Sequence, residues 1–156
     1  MQHPDIFTRP VCDQLIARIH RITPGTRPQW GTMNAAQMLA HCSKAYDALY
    51  DADHQRRWPP AKGLKRFMLK LLVKGTVCGP KPYPRNGRTA PSFVVADHRE
   101  LEHECTKLVN YLNKVQSAGA ASFQGKASAS FGPLNVNEWN TLFYKHLHHH
   151  LTQFGV

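Results

Sequence analysis

Residues 135–156 read NVNEWNTLFYKHLHHHLTQFGV. Asn135, with Glu138 three positions on, has the form of a reciprocal helix cap, and Trp139, Leu142, Phe143, His146, His150 and Phe154 then recur at helical spacing. The stretch predicts an amphipathic helix whose inward stripe carries imidazoles as well as hydrocarbon. Buried imidazoles need polar partners. His146 and His150 lie four residues apart, about 40° round the axis and one turn along it, so both rings can reach one point. His149 occupies the neighbouring flank, and His148 points to roughly the opposite side.

The same periodicity defines three more long helices upstream. Residues 9–22 place Val11, Leu15, Ile16, Ile19 and Ile22 on one stripe, with Thr8 and Pro10 near the start. A second helix opens at Asn34, boxed by Gln37, and is expected to run to about Asp53 with Met38, Leu39, Cys42, Ala45, Tyr46 and Leu49 inward. A third is expected to open at Asp97, boxed by Glu100, and to bury Leu101, Cys105, Leu108, Val109, Leu112 and Val115. Between them, PPAKGLKRFMLKLLVKG carries Leu64, Phe67, Met68, Leu71 and Leu72 at helical spacing among lysines, an amphipathic basic accessory helix. Two stretches rich in proline, glycine or small residues, residues 76–95 and 117–133, read as long connections, and SFVV is too short to found a sheet. The fold class is therefore all-α, a bundle of four main helices with one short basic helix, in a single domain covering residues 1–156.

A third inward imidazole is available on the second helix. His41 follows Met38 by three residues and precedes Ala45 by four. His41, His146 and His150 would together offer three neutral nitrogens to a divalent ion of the zinc, nickel, iron or manganese group, leaving coordination positions open for water or substrate. The alternative is structural: a core histidine bonded to a carbonyl, and solvated histidines that favour the negative end of a helix dipole.

Composition narrows the setting. The chain has 156 residues, 42% of them hydrophobic, and a formal net charge of +10, which favours anionic partners without choosing among nucleic acid, phospholipid and a small acidic ligand. Cys12, Cys42, Cys78 and Cys105 lack CxxC spacing, so neither a disulfide framework nor a thiolate zinc site is indicated. No charged-then-apolar leader and no apolar run of about 18 residues is visible, so a cytoplasmic location is expected. Nucleophile elbows, glycine-rich phosphate loops and HExxH motifs are also missing from the sequence.

HLHHHLTQ resembles the H-x-x-H-H-x-x-Q signature on the last helix of the DinB/YfiT-like superfamily, with His146, His149, His150 and Gln153 on its four marked positions. PQWGTMNAAQMLAHCSKA, KPYPRNGRTAPSFVV and FGPLNVNEW are similar to segments of one bacterial branch of DinB-related proteins that also ends in YKHLxHHLxQFGV. The resemblance covers nearly the whole chain. It implies an up-down-down-up four-helix bundle in which one histidine of the second helix and two of the fourth bind a metal, here His41, His146 and His150. The related pattern has His-Pro shortly before the last helix where this chain has Ser128 and Ala129. Characterised superfamily members include transferases and isomerases that use bacillithiol, mycothiol or glutathione as nucleophile.

The expected activity is then a metal-dependent reaction, a thiol-dependent S-transfer with a low-molecular-weight thiol as co-substrate, or hydrolysis with water at the same ligands. His149 is the candidate proton carrier. Gln153, one turn beyond it, is a candidate hydrogen-bonding partner behind the ligands, and Trp30 a candidate pocket wall; both are placed on the substrate side. A non-enzymatic alternative uses Lys62, Lys65, Arg66, Lys70 and Lys74 to bind nucleic acid or anionic lipid. A homodimer is the expected assembly.

Overall fold

Local hydrogen bonding sets where the helices start. In the computed structural model, which describes residues 3–156, the backbone N–H of Gln37 donates to Asn34 Oδ1 at 2.9 Å and that of Asn34 donates to Gln37 Oε1 at 3.1 Å. The same reciprocal pair joins Asn135 and Glu138, at 3.0 Å in both directions. These boxes open helices α2 (Ala35–Tyr50) and α7 (Val136–Gln153); α1 spans Arg9–His20 and α6 spans Leu101–Ala118. Three shorter helices fill the interval after α2: α3 (Ala52–Arg57), α4 (Gly63–Leu72) and α5 (Lys74–Cys78).

Three boundaries differ from the sequence reading: the first helix, read over residues 9–22, ends at His20, and two other differences have a polar cause. The second helix was expected to reach Asp53 but ends at Tyr50, because the Asp51 carboxylate takes the N–H groups of Asp53 (2.8 Å) and His54 (3.0 Å) and caps a new helix. No box forms at Asp97 and Glu100. Asp97 pairs instead with Arg99 at 2.9 Å, Arg99 reaches the buried Glu104 at 3.3 Å, and the cap of α6 falls three residues later than expected, at Glu100, so that the helix begins at Leu101. The SFVV segment forms no strand; its first two residues close a single 3-10 turn, Pro91–Phe93.

The only strands among the described residues are two residues each, β1 (Ala127–Ser128) and β2 (Gly132–Pro133), paired antiparallel. Ser128 sits in this hairpin with its hydroxyl accepting from the Phe131 N–H at 2.8 Å, so this position serves a turn.

The protein is mostly helical, and most of its buried apolar side chains form one cluster drawn chiefly from α1, α2, α6 and α7. Tyr46 stacks on Phe143 with centroids 4.8 Å apart, and Phe143 on Trp139 at 5.1 Å. Leu147 and Leu151 extend this buried face, whereas Leu142 is only half-buried. These contacts fix the rotation of α7. Two buried charges tie the shell to the core. Asp47 accepts from Lys44, Lys107 and the Tyr111 hydroxyl at 3.2, 2.9 and 2.9 Å. Lys145 donates to the carbonyls of Thr76, Gly79 and Lys81 at 2.7, 2.6 and 3.2 Å, pinning the start of the proline-rich crossing against α7. All four cysteines are free thiols, Cys12 and Cys42 buried. Among the described residues no helix is long and apolar enough to cross a membrane.

Candidate metal centre

With α7 locked by Phe143, Leu147 and Leu151, His146 and His150 face α2, where His41 lies about one turn after the fully buried Met38 and one turn before the buried Ala45. The three rings meet. Their centroids are 4.5 Å apart for His41 and His150, 4.9 Å for His146 and His150, and 5.0 Å for His41 and His146. One ring nitrogen of each lies within 4.8 Å of the other two, so this buried group could hold a divalent metal.

Hydrogen bonds behind the rings decide which nitrogen each presents. His41 Nδ1 lies 2.8 Å from the Phe93 carbonyl, which can only accept, so Nδ1 carries the proton and Nε2 keeps its lone pair. The Gln153 amide is oriented in turn: its Nε2 donates to the Trp30 carbonyl at 2.6 Å, leaving Oε1 to accept from His150 Nδ1 at 2.8 Å. His150 Nε2 is thereby also a lone-pair donor. The Nε2 atoms of His41 and His146 stand 3.0 Å apart. Two lone pairs at that distance repel, so either His146 carries a proton there or a cation lies between the rings. Three neutral imidazoles, with Nε2 of His41 and of His150 left as lone-pair donors, are a donor set that fits a divalent metal ion.

Burial favours the ligating form. It lowers the pKa of all three histidines, His150 to about 3 and His146 well below 6.5, with the neighbouring imidazoles adding to the effect on those two. Neutral imidazoles are what a divalent ion requires.

Aromatic side chains line the surroundings. Phe93 meets His41 and His146 edge-on, each at 5.8 Å, and Tyr83 meets His146 and His149 at 6.4 and 5.6 Å. The half-buried His149 ring lies 5.0 Å from His150 and 5.8 Å from Trp30, and the Arg85 guanidinium sits 4.4 Å over the Trp30 ring. Burial lowers the pKa of His149, with His148 and His41 contributing. His148 is apart from the cluster: it stacks on Tyr144 and its Nδ1 accepts from Arg18 at 2.9 Å. Gly31 has φ +84°, and a Cβ there would fall 2.6 Å from Gln153 Nε2. The turn after Trp30 thus needs glycine to let the amide approach.

The sequence marks Tyr83 and Phe93 as packing or pocket-wall aromatics, but nothing in it places them, Arg85 or Lys145 beside the histidines. The Phe93 carbonyl, Tyr83, Arg85 and Lys145 belong to, or hold, the proline-rich crossing, whose irregular backbone has no period to assign inward and outward positions. An open depression of about 930 Å³ lined by Lys44, Asp51, His54, Arg57, Trp58 and Arg99, among others, includes none of the three clustered histidines. Comparison with protein-family models, with characterised proteins and with solved structures gives no match.

Proposed function

We propose that His41, His146 and His150 bind one divalent ion of the zinc, nickel, iron or manganese group and that the protein is a metal-dependent enzyme of the DinB/YfiT-like kind, transferring a low-molecular-weight thiol to a small electrophile. The observation that carries this reading is the convergence of three imidazoles from two helices, His41 and His150 buried and His146 half-buried, two of them with Nδ1 tied to an acceptor so that Nε2 is left as the lone-pair donor. When bound, such an ion lowers the pKa of a thiol or water at an open position, so that a nucleophile exists at neutral pH.

The remaining roles belong to the chain. His149, kept neutral by burial, accepts the proton released as the nucleophile ionises. Gln153 holds the His150 ring in one orientation, and Trp30 supplies the carbonyl that holds Gln153 and a wall against His149. Tyr83 and Phe93 exclude water from the inner side. In the transfer, sulfur forms a bond to the electrophilic carbon, the leaving group departs with its electron pair, and the thiol proton passes to His149.

Metal-loaded protein incubated with an alkylating electrophile and, separately, bacillithiol, mycothiol or glutathione tests the proposal. Turnover should require one of the thiols, disappear with a chelator and return with added metal. His146→Ala should lower it by about 100-fold or more. Metal-dependent turnover without thiol assigns hydrolysis at the same ligands, and a chelator-insensitive rate contradicts the reading.

A further inference from the structure

Helix α4 is turned with its apolar face away from the protein. Leu64, Phe67, Leu71 and Leu72 are 76%, 60%, 67% and 66% exposed, and Met68 is 41% exposed between them. At 100° per residue these five side chains span an arc of about 140°. Leu69 lies outside that arc, is partly buried and packs on the core, so the helix touches the body through its other side. An exposed contiguous arc of this kind marks an interaction surface.

Charge identifies what the surface fits. Ten of the twenty lysines and arginines, and none of the ten acidic residues, lie within residues 54–96, so the whole formal net charge of +10 resides in this segment and the remainder of the chain is balanced. On α4 itself Lys65 and Lys70 flank the apolar arc on opposite sides, with Lys62 and Arg66 behind. Among the described residues, none of these four cations makes an ion pair.

We infer that α4 docks the protein on an anionic lipid surface, lying in the plane of the headgroups with Leu64, Phe67, Met68, Leu71 and Leu72 buried among acyl chains and Lys65 and Lys70 reaching phosphate and carboxylate groups. A second copy fits poorly, because face-to-face pairing would press two sets of unpaired cations together in a layer losing its water. Nucleic acid fits poorly too: it offers phosphates to the flanking lysines and nothing apolar to the centre of the arc. A bilayer interface supplies both chemistries in the order the helix presents them. The surface is separate from the histidine cluster, so its standing does not depend on the metal reading.

Sedimentation with vesicles of phosphatidylcholine, with and without phosphatidylserine, tests the inference on the full chain. Binding should require phosphatidylserine and weaken with salt. F67S/L71S and K65E/K70E should each lower the partition onto vesicles by about tenfold or more, with unfolding midpoint and metal content unchanged. Should F67S/L71S lower the midpoint, L64S/L72S gives the same reading from two of the other outward positions. Absence of serine-dependent binding overturns the inference. So does vesicle binding indifferent to the leucine and phenylalanine changes, a wild-type dimer that F67S/L71S converts to monomer without vesicle binding, or duplex DNA binding that survives F67S/L71S while vesicles are ignored.

Discussion

A neutral imidazole ligates only through the nitrogen it leaves unprotonated, so the groups behind the ring matter as much as the ring. The Phe93 carbonyl fixes this for His41, and the Trp30–Gln153 relay fixes it for His150. Gln153→Ala should therefore weaken divalent metal binding by about 10- to 100-fold while leaving the fold intact, measured by competition with a chromophoric chelator. Gly31→Ala should act in the same direction without touching any ligand, because its Cβ would displace the Gln153 amide. The titration of the cluster has a definite sign. The folded-state pKa of each histidine is lowered, to about 3 for His150 against an ordinary 6.5, so on acidification the unfolded chain takes up protons that the folded chain refuses. Metal-free protein should lose thermal stability as the pH falls from about 7 to about 5, and the loss should be smaller in His150→Asn. The inward phase of His41, His146 and His150 was legible in the sequence because helical spacing alone places them among core residues. Gln153 was legible as a partner of the site, although its contact is to His150.

At the level of elements, what could be read was what is settled within one turn. The boxes at Asn34 and Asn135 involve residues three apart and form as the spacing predicts. The box at Asp97 and Glu100 does not, because Arg99 offers Asp97 a charged partner and links it to the buried Glu104, a contact no three-residue pattern contains. Asp51 likewise splits the helix that the sequence reading carries on to Asp53. Asn135→Ala should destabilise the protein by about 1 kcal/mol in chemical denaturation. That α4 is helical was legible from period. That its apolar face points outward was not, since period gives the stripe but not the side on which the body lies.

For the whole molecule, one aromatic core holds α2 and α7 in a fixed phase, and the histidine cluster stands where their inward faces meet. The proline-rich crossing, anchored by Lys145, brings Tyr83 and the Phe93 carbonyl to the cluster from a part of the chain with no readable pattern. Phe143→Ala should cost about 3 to 5 kcal/mol of stability by opening this core, and should lower metal affinity as α7 loses its rotational lock. Elemental analysis of untagged protein purified without metal-affinity resin, wild type beside His41→Ala and His150→Ala, bears most directly on the shared centre. About one divalent ion per chain in the wild type and far less in both variants is the predicted result. Equal metal content in all three proteins, or a wild type that binds none after loading with zinc, nickel, iron or manganese, would contradict it.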